Sequence, residues 1–292
     1  MVDLNRVKEL MQGVVDVHIH TGPDVFPRRL DDIEAALQAK EAGMKAIMIK
    51  SHMNCTAGRA EIASKVTGFP VFGGVALNLP VGGLNPQAVD TALRMGAKQV
   101  WMPTLHSEEY LSDESRVPMF SQVLKSGIKG ISLLDEKGEL KKEVLEILDQ
   151  IAEKDVILGT GHISVKEAMI LVPQAKKRGV RKIMITHPLS TMLNYTIADL
   201  REIKEKGATM FEHNIHDTTP LMKDAIKPDY IAEAIKAVGA DSAILCTDGG
   251  QARNLPPVES LQLFISQMLE LGITEKEIIT MVRENPSRML EI

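Results

Sequence analysis

Apolar and polar positions along the 292-residue chain repeat one phrase: an amphipathic stretch, a glycine, a short polar step, then a dense apolar run ending in polar or small residues. The phrase occurs at Glu41–Lys50, Arg94–Pro103, Lys177–Thr186, Lys206–Glu212 and Val238–Thr247. Each glycine suits the left-handed residue that ends a helix, and the apolar run after it reads as a strand buried on both faces. Val14–His20, Val71–Leu77 and Val156–Thr160 bring the strand candidates to eight, separated by stretches of helical period such as Leu30–Lys40 and Glu143–Ala152. Eight alternating units in a chain of this length predict an α/β protein with one (β/α)8 TIM barrel, a single domain over 1–292. An open doubly wound sheet is the weaker choice, because no Gly-x-Gly-x-x-Gly turn follows the first strand. The interval between strands four and five is too long for one helix. Ile128–Leu140, with Glu136-Lys137-Gly138 as its turn, predicts a small β-hairpin insertion there.

Composition narrows the partners. A net charge of -5 gives no electrostatic reason for a nucleic-acid or anionic-membrane partner, so a small-molecule substrate is expected, in a protein that can form a homo-oligomer. Two cysteines, Cys55 and Cys246, exclude a disulfide scaffold and favour a reducing compartment. No window is apolar over the length of a bilayer, and the first residues mix charged with short apolar side chains, so the expected location is the cytoplasm.

In a (β/α)8 barrel the chemistry sits at the carboxyl ends of the strands, and the histidines collect there. His18 and His20 close strand one, His52 follows strand two, and His106 follows strand four. His162 follows strand five, His187 ends strand six, and His213 ends strand seven with His216 close behind. Alternate strand residues share a face, so Asp16, His18 and His20 are expected to point into the barrel together. Two adjacent imidazoles make half of a zinc or iron site. Asp248 ends strand eight, which adjoins strand one in a closed barrel, so its carboxylate is placed to face the pair across a cation. Cys246 reads as a small core residue one pleat deeper. Proline after His187 leaves that imidazole at the rim.

These residues resemble the amidohydrolase superfamily of metal-dependent (β/α)8 enzymes. Val15-Asp16-Val17-His18-Ile19-His20 is similar to its strand-one motif, Thr247-Asp248 to its strand-eight motif, and Asn285-Pro286-Ser287-Arg288 to its closing tail. The resemblance implies that His18, His20 and Asp248 bind a catalytic metal, with Asp248 also a proton acceptor. It implies His162 as a fourth ligand or a ligand of a second ion, and His187 as a further ligand, an acid/base or a water-orienting group. Two-metal members carry a bridging carboxylated lysine or glutamate on strand four. Gln99-Val-Trp101-Met102-Pro-Thr104 offers neither, and Lys50, Glu108 and Glu109 substitute by position only. One divalent ion is therefore expected, zinc ahead of iron or manganese.

The resemblance implies a metal-dependent hydrolase that activates water against a C–N or C–O bond, in an amide, cyclic amide, imine or ester. A metal-dependent non-oxidative decarboxylase on the same scaffold is the alternative. Lys50, Arg28, Arg29, Arg253 and His213 are candidate contacts to an anionic small molecule. Phe26, Trp101, Met102 and Tyr195 are candidate pocket walls. His52, His106 and His216 are left without a role.

Overall fold

The computed structural model describes residues 3–113, 124, 127–222 and 224–292. Eight parallel strands pair in the order β1-β2-β3-β4-β5-β6-β7-β8. They are β1 (Val15–His20), β2 (Ala46–Lys50), β3 (Val71–Ala76), β4 (Gln99–Trp101), β5 (Ile157–Gly159), β6 (Ile183–Ile185), β7 (Met210–Asn214) and β8 (Ala243–Cys246). Helices connect them, and β8 returns to β1 through a parallel bridge between Gly249 and Ile19, where His20 N donates to Gly249 O at 2.7 Å. The fold is the (β/α)8 barrel that the repeating phrase predicts.

The phrase works because each glycine stops a helix. Gly43, Gly96, Gly179, Gly207 and Gly239 have φ values of 75°, 87°, 89°, 126° and 85°. These lie in the region that costs a side chain most, so the chain reverses there and enters the next strand. Several helices begin in reciprocal caps, such as Ser164 with Glu167. Glu167 reaches further, accepting from Leu133 N at 2.8 Å and Ser132 Oγ at 3.1 Å, so the helix Val165–Lys177 also anchors the segment before β5. Within that segment Leu134 and Leu140 form one antiparallel bridge around a turn closed by Gly138 N donating to Asp135 O.

Two apolar layers result. One lies between the sheet and the helices; the other fills the lower barrel with Val15, Val17, Met48, Trp101, Met210 and Ile244. Met289 and Leu290 of the closing helix Asn285–Leu290 join this inner layer and plug the barrel floor. Asn285 Nδ2 holds that helix by donating to Ala240 O and Ala243 O at 2.8 and 2.7 Å. With the floor closed, the open mouth lies at the carboxyl ends of the strands. Among the described residues no helix is long and apolar enough to cross a membrane.

Candidate active site

Strand β1 carries the first departure from simple alternation. Its register against β2 shifts between Asp16 and Ile19. A bulge changes the parity of the residues after it. Val15 and Val17 face the barrel interior before the shift; after it His18 and His20 reach the mouth, and Ile19 packs in the outer layer. Asp16 therefore does not join the histidines. It lines a small crevice with Ala35, Ala39 and Met44, and latches β1 to β8 by accepting from Thr247 Oγ1 at 2.6 Å and Thr247 N at 3.2 Å.

His18, His20 and Asp248 meet at the mouth. Asp248 Oδ1 lies 3.1 Å from His18 Nε2 and 3.0 Å from His20 Nε2, and all three residues are buried. His18 Nδ1 faces Glu212 Oε1 at 2.7 Å with both side chains fully buried. Glu212 comes from β7 and was not singled out by the sequence. On β7, Met210 and Glu212 share the inner face, whereas Phe211 belongs to the outer layer. His213, adjacent to Glu212, borders a tight crevice with Ile226 and Ile231 and does not line the mouth.

Charge is tightly balanced in this cluster. Burial pushes the His18 imidazolium down, but Asp248 and Glu212 outweigh it and raise its pKa to about 9. Burial likewise opposes ionisation of Asp248, yet His18 and His20 hold its carboxyl well below 3.8. For His187, desolvation dominates and lowers the pKa to about 4, so the ring is neutral at neutral pH and able to accept a proton. Lys50, buried at the end of β2, puts Nζ 3.0 Å from His18 Nε2 and 5.2 Å from the centre of the Trp101 ring. Desolvation lowers its pKa below 10.5.

A cavity of about 500 Å³ opens above the cluster. His20, Lys50, His52, His162, His187 and Asp248 line its depth; Phe26, Leu105, Met192 and Met222 give it apolar walls. His162 and His187 stand edge to face with ring centres 4.9 Å apart, and His187 stacks toward His18 at 5.8 Å. Both rings border the cavity, but neither belongs to the two compact donor sets among the described residues, His18 with His20 and Asp248, and His18 with Glu212 and Cys246. His187 and Asp248 hold φ values of 24° and 46°. Such backbone angles in residues other than glycine are costly and concentrate at functional sites.

Of the expected cationic contacts, Lys50, Arg28 and Arg253 line the cavity, as does His216, which had no expected role. Arg28 is already paired: its Nη2 lies 2.8 Å from Asp24 Oδ2, and its guanidinium sits 5.5 Å from the Phe26 ring centre. Arg29 borders a different, outward groove and reaches Ala252 O at 3.3 Å. Of the expected walls only Phe26 serves. Trp101 and Met102 are in the core layers, and the Tyr195 hydroxyl is spent on Ile163 O and Ser164 O.

The donor set suits a divalent cation. A carboxylate on Nδ1 fixes an imidazole so that Nε2 faces an ion, which is the relation of Glu212 to His18. His20 Nδ1, His162 Nδ1, His187 Nδ1 and Glu212 Oε2 are buried without a hydrogen-bond partner. The three imidazole atoms belong to residues that border the cavity, where a bound group would complete them, and Glu212 Oε2 lies behind His18.

The profile of a family described as "Family of unknown function (DUF6282)" matches residues 13–211, more than half of the chain. The chain belongs to this family. No curated protein matches the sequence. Solved structures similar to this DUF6282 chain include an amidohydrolase from Pseudomonas aeruginosa, with TM-score 0.62 and 13% identity over 99% of this chain and 98% of that one. A probable 2-pyrone-4,6-dicarboxylic acid hydrolase from Acinetobacter baumannii, with citric acid bound, gives 0.59 and 12% over 96% and 100%. A 2,6-dihydroxybenzoate decarboxylase with 2,6-dihydroxybenzoate gives 0.56 and 12% over 96% and 100%. At these identities the likeness establishes that the DUF6282 chain shares the (β/α)8 barrel fold of these proteins.

Proposed function

We propose that this chain is a metal-dependent hydrolase of a small anionic molecule, holding one divalent ion, zinc first among the candidates, on His18, His20 and Asp248. The observation that carries the reading is the convergence of His18 Nε2, His20 Nε2 and Asp248 Oδ1 on the floor of the cavity, with Asp248 Oδ1 3.1 and 3.0 Å from the two nitrogens. When bound, such an ion polarises a scissile carbonyl and lowers the pKa of water beside it.

The protein groups do the rest. Glu212 holds the His18 ring at Nδ1, which would leave Nε2 for an ion in place of its present contact with Lys50 Nζ. His187, neutral because it is buried, accepts a proton from water and returns it to the leaving nitrogen or oxygen. Asp248, which also borders the cavity, is a second acceptor. Lys50 and Arg253 give the cavity positive charge suited to an anion, and Phe26, Leu105 and Met192 exclude water around it.

A panel of small carboxylated amides, cyclic amides, lactones and esters tests this. The intact protein is expected to hydrolyse at least one of them. His187→Asn is expected to keep its metal and lose about 100-fold or more in turnover, the size of a lost acid/base. Unchanged turnover in that variant refutes the role of His187. Release of carbon dioxide with no hydrolysis product refutes the hydrolase and selects a decarboxylase.

A further inference from the structure

His52 follows β2 and stands outside the donor cluster, yet its ring is held by a chain of buried groups that decides which of its nitrogens carries a proton. Asn78 Oδ1 accepts from two backbone amides, Thr104 N at 2.9 Å and His106 N at 3.1 Å. Backbone N–H groups only donate, so the Asn78 side chain is fixed with its oxygen on that side and its nitrogen opposite. Nδ2 then donates to His52 O at 3.0 Å and to Thr104 Oγ1 at 2.5 Å. Thr104, fully buried, lies 2.8 Å from His52 Nδ1. Its hydroxyl oxygen accepts from Asn78 Nδ2, and among the described residues the acceptor in reach of its proton is His52 Nδ1. The arrangement that leaves no buried hydroxyl proton unpaired has Thr104 donating to Nδ1 and the neutral ring carrying its proton on Nε2.

The ring stacks on His20, with centres 4.7 Å apart and planes inclined by 26°, and it lines the cavity beside Lys50 and His162. No described group takes up Nε2. We propose that His52 is a specificity-determining residue whose Nε2–H, locked by the Asn78–Thr104 clamp, donates to a carboxylate oxygen of the substrate. This rests on the cavity being the substrate site of the proposed hydrolase. A carboxylate suits it because Lys50, Arg28 and Arg253 line the same cavity, while the one carboxylate there among the described residues, Asp248, is engaged by His18 and His20. An N–H that cannot become an acceptor without breaking the clamp rejects ligands that present a donor at the same point.

Imidazole ¹⁵N spectra of the free protein test the lock without any substrate, and malonate serves as the carboxylate probe. The expected results are His52 as the Nε2–H tautomer, a malonate-dependent shift of that resonance, and malonate binding at least fivefold weaker in His52→Ala. His52→Gln, which keeps a donor near the Nε2 position, is expected to recover part of that affinity. Thr104→Val leaves His52 in place, and is expected to release the single tautomer and weaken malonate binding. An Nδ1–H tautomer in the intact protein overturns the proposal, and so does equal malonate affinity in folded His52→Ala and Thr104→Val. Metal content measured on the same samples separates this failure from a failure of the hydrolase reading.

Discussion

One imidazole carries two carboxylates in this barrel. Asp248 and Glu212 approach opposite nitrogens of His18, at 3.1 Å and 2.7 Å, from strands on the same side of the sheet. In the proposed site their contributions differ: Asp248 would share the space of the ion, whereas Glu212 would set which nitrogen of His18 faces it. Glu212→Gln keeps the size of the side chain but removes its charge. It is expected to lower metal affinity about 10- to 100-fold, the usual effect of losing a carboxylate behind a ligating histidine. Competition with a chelator measures this; unchanged affinity shows that Glu212 does not orient His18. His18, His20 and Asp248 were legible in the sequence because each ends an apolar run, a place where polar residues need a reason. Glu212 was not legible. Met210-Phe-Glu-His-Asn214 offers polar residues to both faces of β7, so alternation alone could not choose between Glu212 and His213.

Between elements, the seam of β8 against β1 is the critical joint, because it brings Asp248 to the two histidines. Gly250 has φ 115°, and a Cβ built on it falls 1.7 Å from His20 O. Gly250→Ala therefore forces the two strand ends apart. It is expected to cost well over 1 kcal/mol in stability and to weaken metal binding. A variant that unfolds and loads metal like the parent contradicts the importance of that close approach.

The lower face offers a separate test by pH. Asp155 ends the helix Lys142–Lys154, and its Oδ2 lies 2.5 Å from Arg181 Nη2 and 3.0 Å from Lys182 Nζ. Its hydrogen bond to Arg181, with help from Lys182, holds the carboxyl below the usual carboxylate range of 3.8. A depressed native pKa means stability that is present above the unfolded value and lost as pH falls through the native one. Asp155→Asn is expected to cost at most about 1 kcal/mol at pH 7, given its exposure to screening, and progressively less below about pH 4. Urea unfolding of both proteins across that range measures it; a difference that grows on acidification contradicts the pairing. No sequence pattern announced the bulge in β1 that turns Asp16 away from the histidines, since bulges arise from how two strands register.

For the whole molecule, the order of elements was legible because one physical unit recurs: helix, left-handed turn residue (a glycine, or Asp155 before β5), buried parallel strand. Eight such units can bury their apolar faces together only by closing on one another. Closure then dictates that polar strand ends share one mouth, and so it explains why histidines far apart in the chain assemble. The cavity walls were less legible: of the expected ones Phe26 serves, but Leu105, Met192 and Met222 lie in loops whose paths no periodicity specifies.

The most direct measurement is metal content per chain by elemental analysis, on protein chelated and then reconstituted, beside a His18→Ala/His20→Ala variant checked for folding by circular dichroism. The site predicts about one divalent ion in the parent and none in the folded variant. An empty parent after reconstitution, or a full complement retained by the variant, would contradict the assignment of His18, His20 and Asp248.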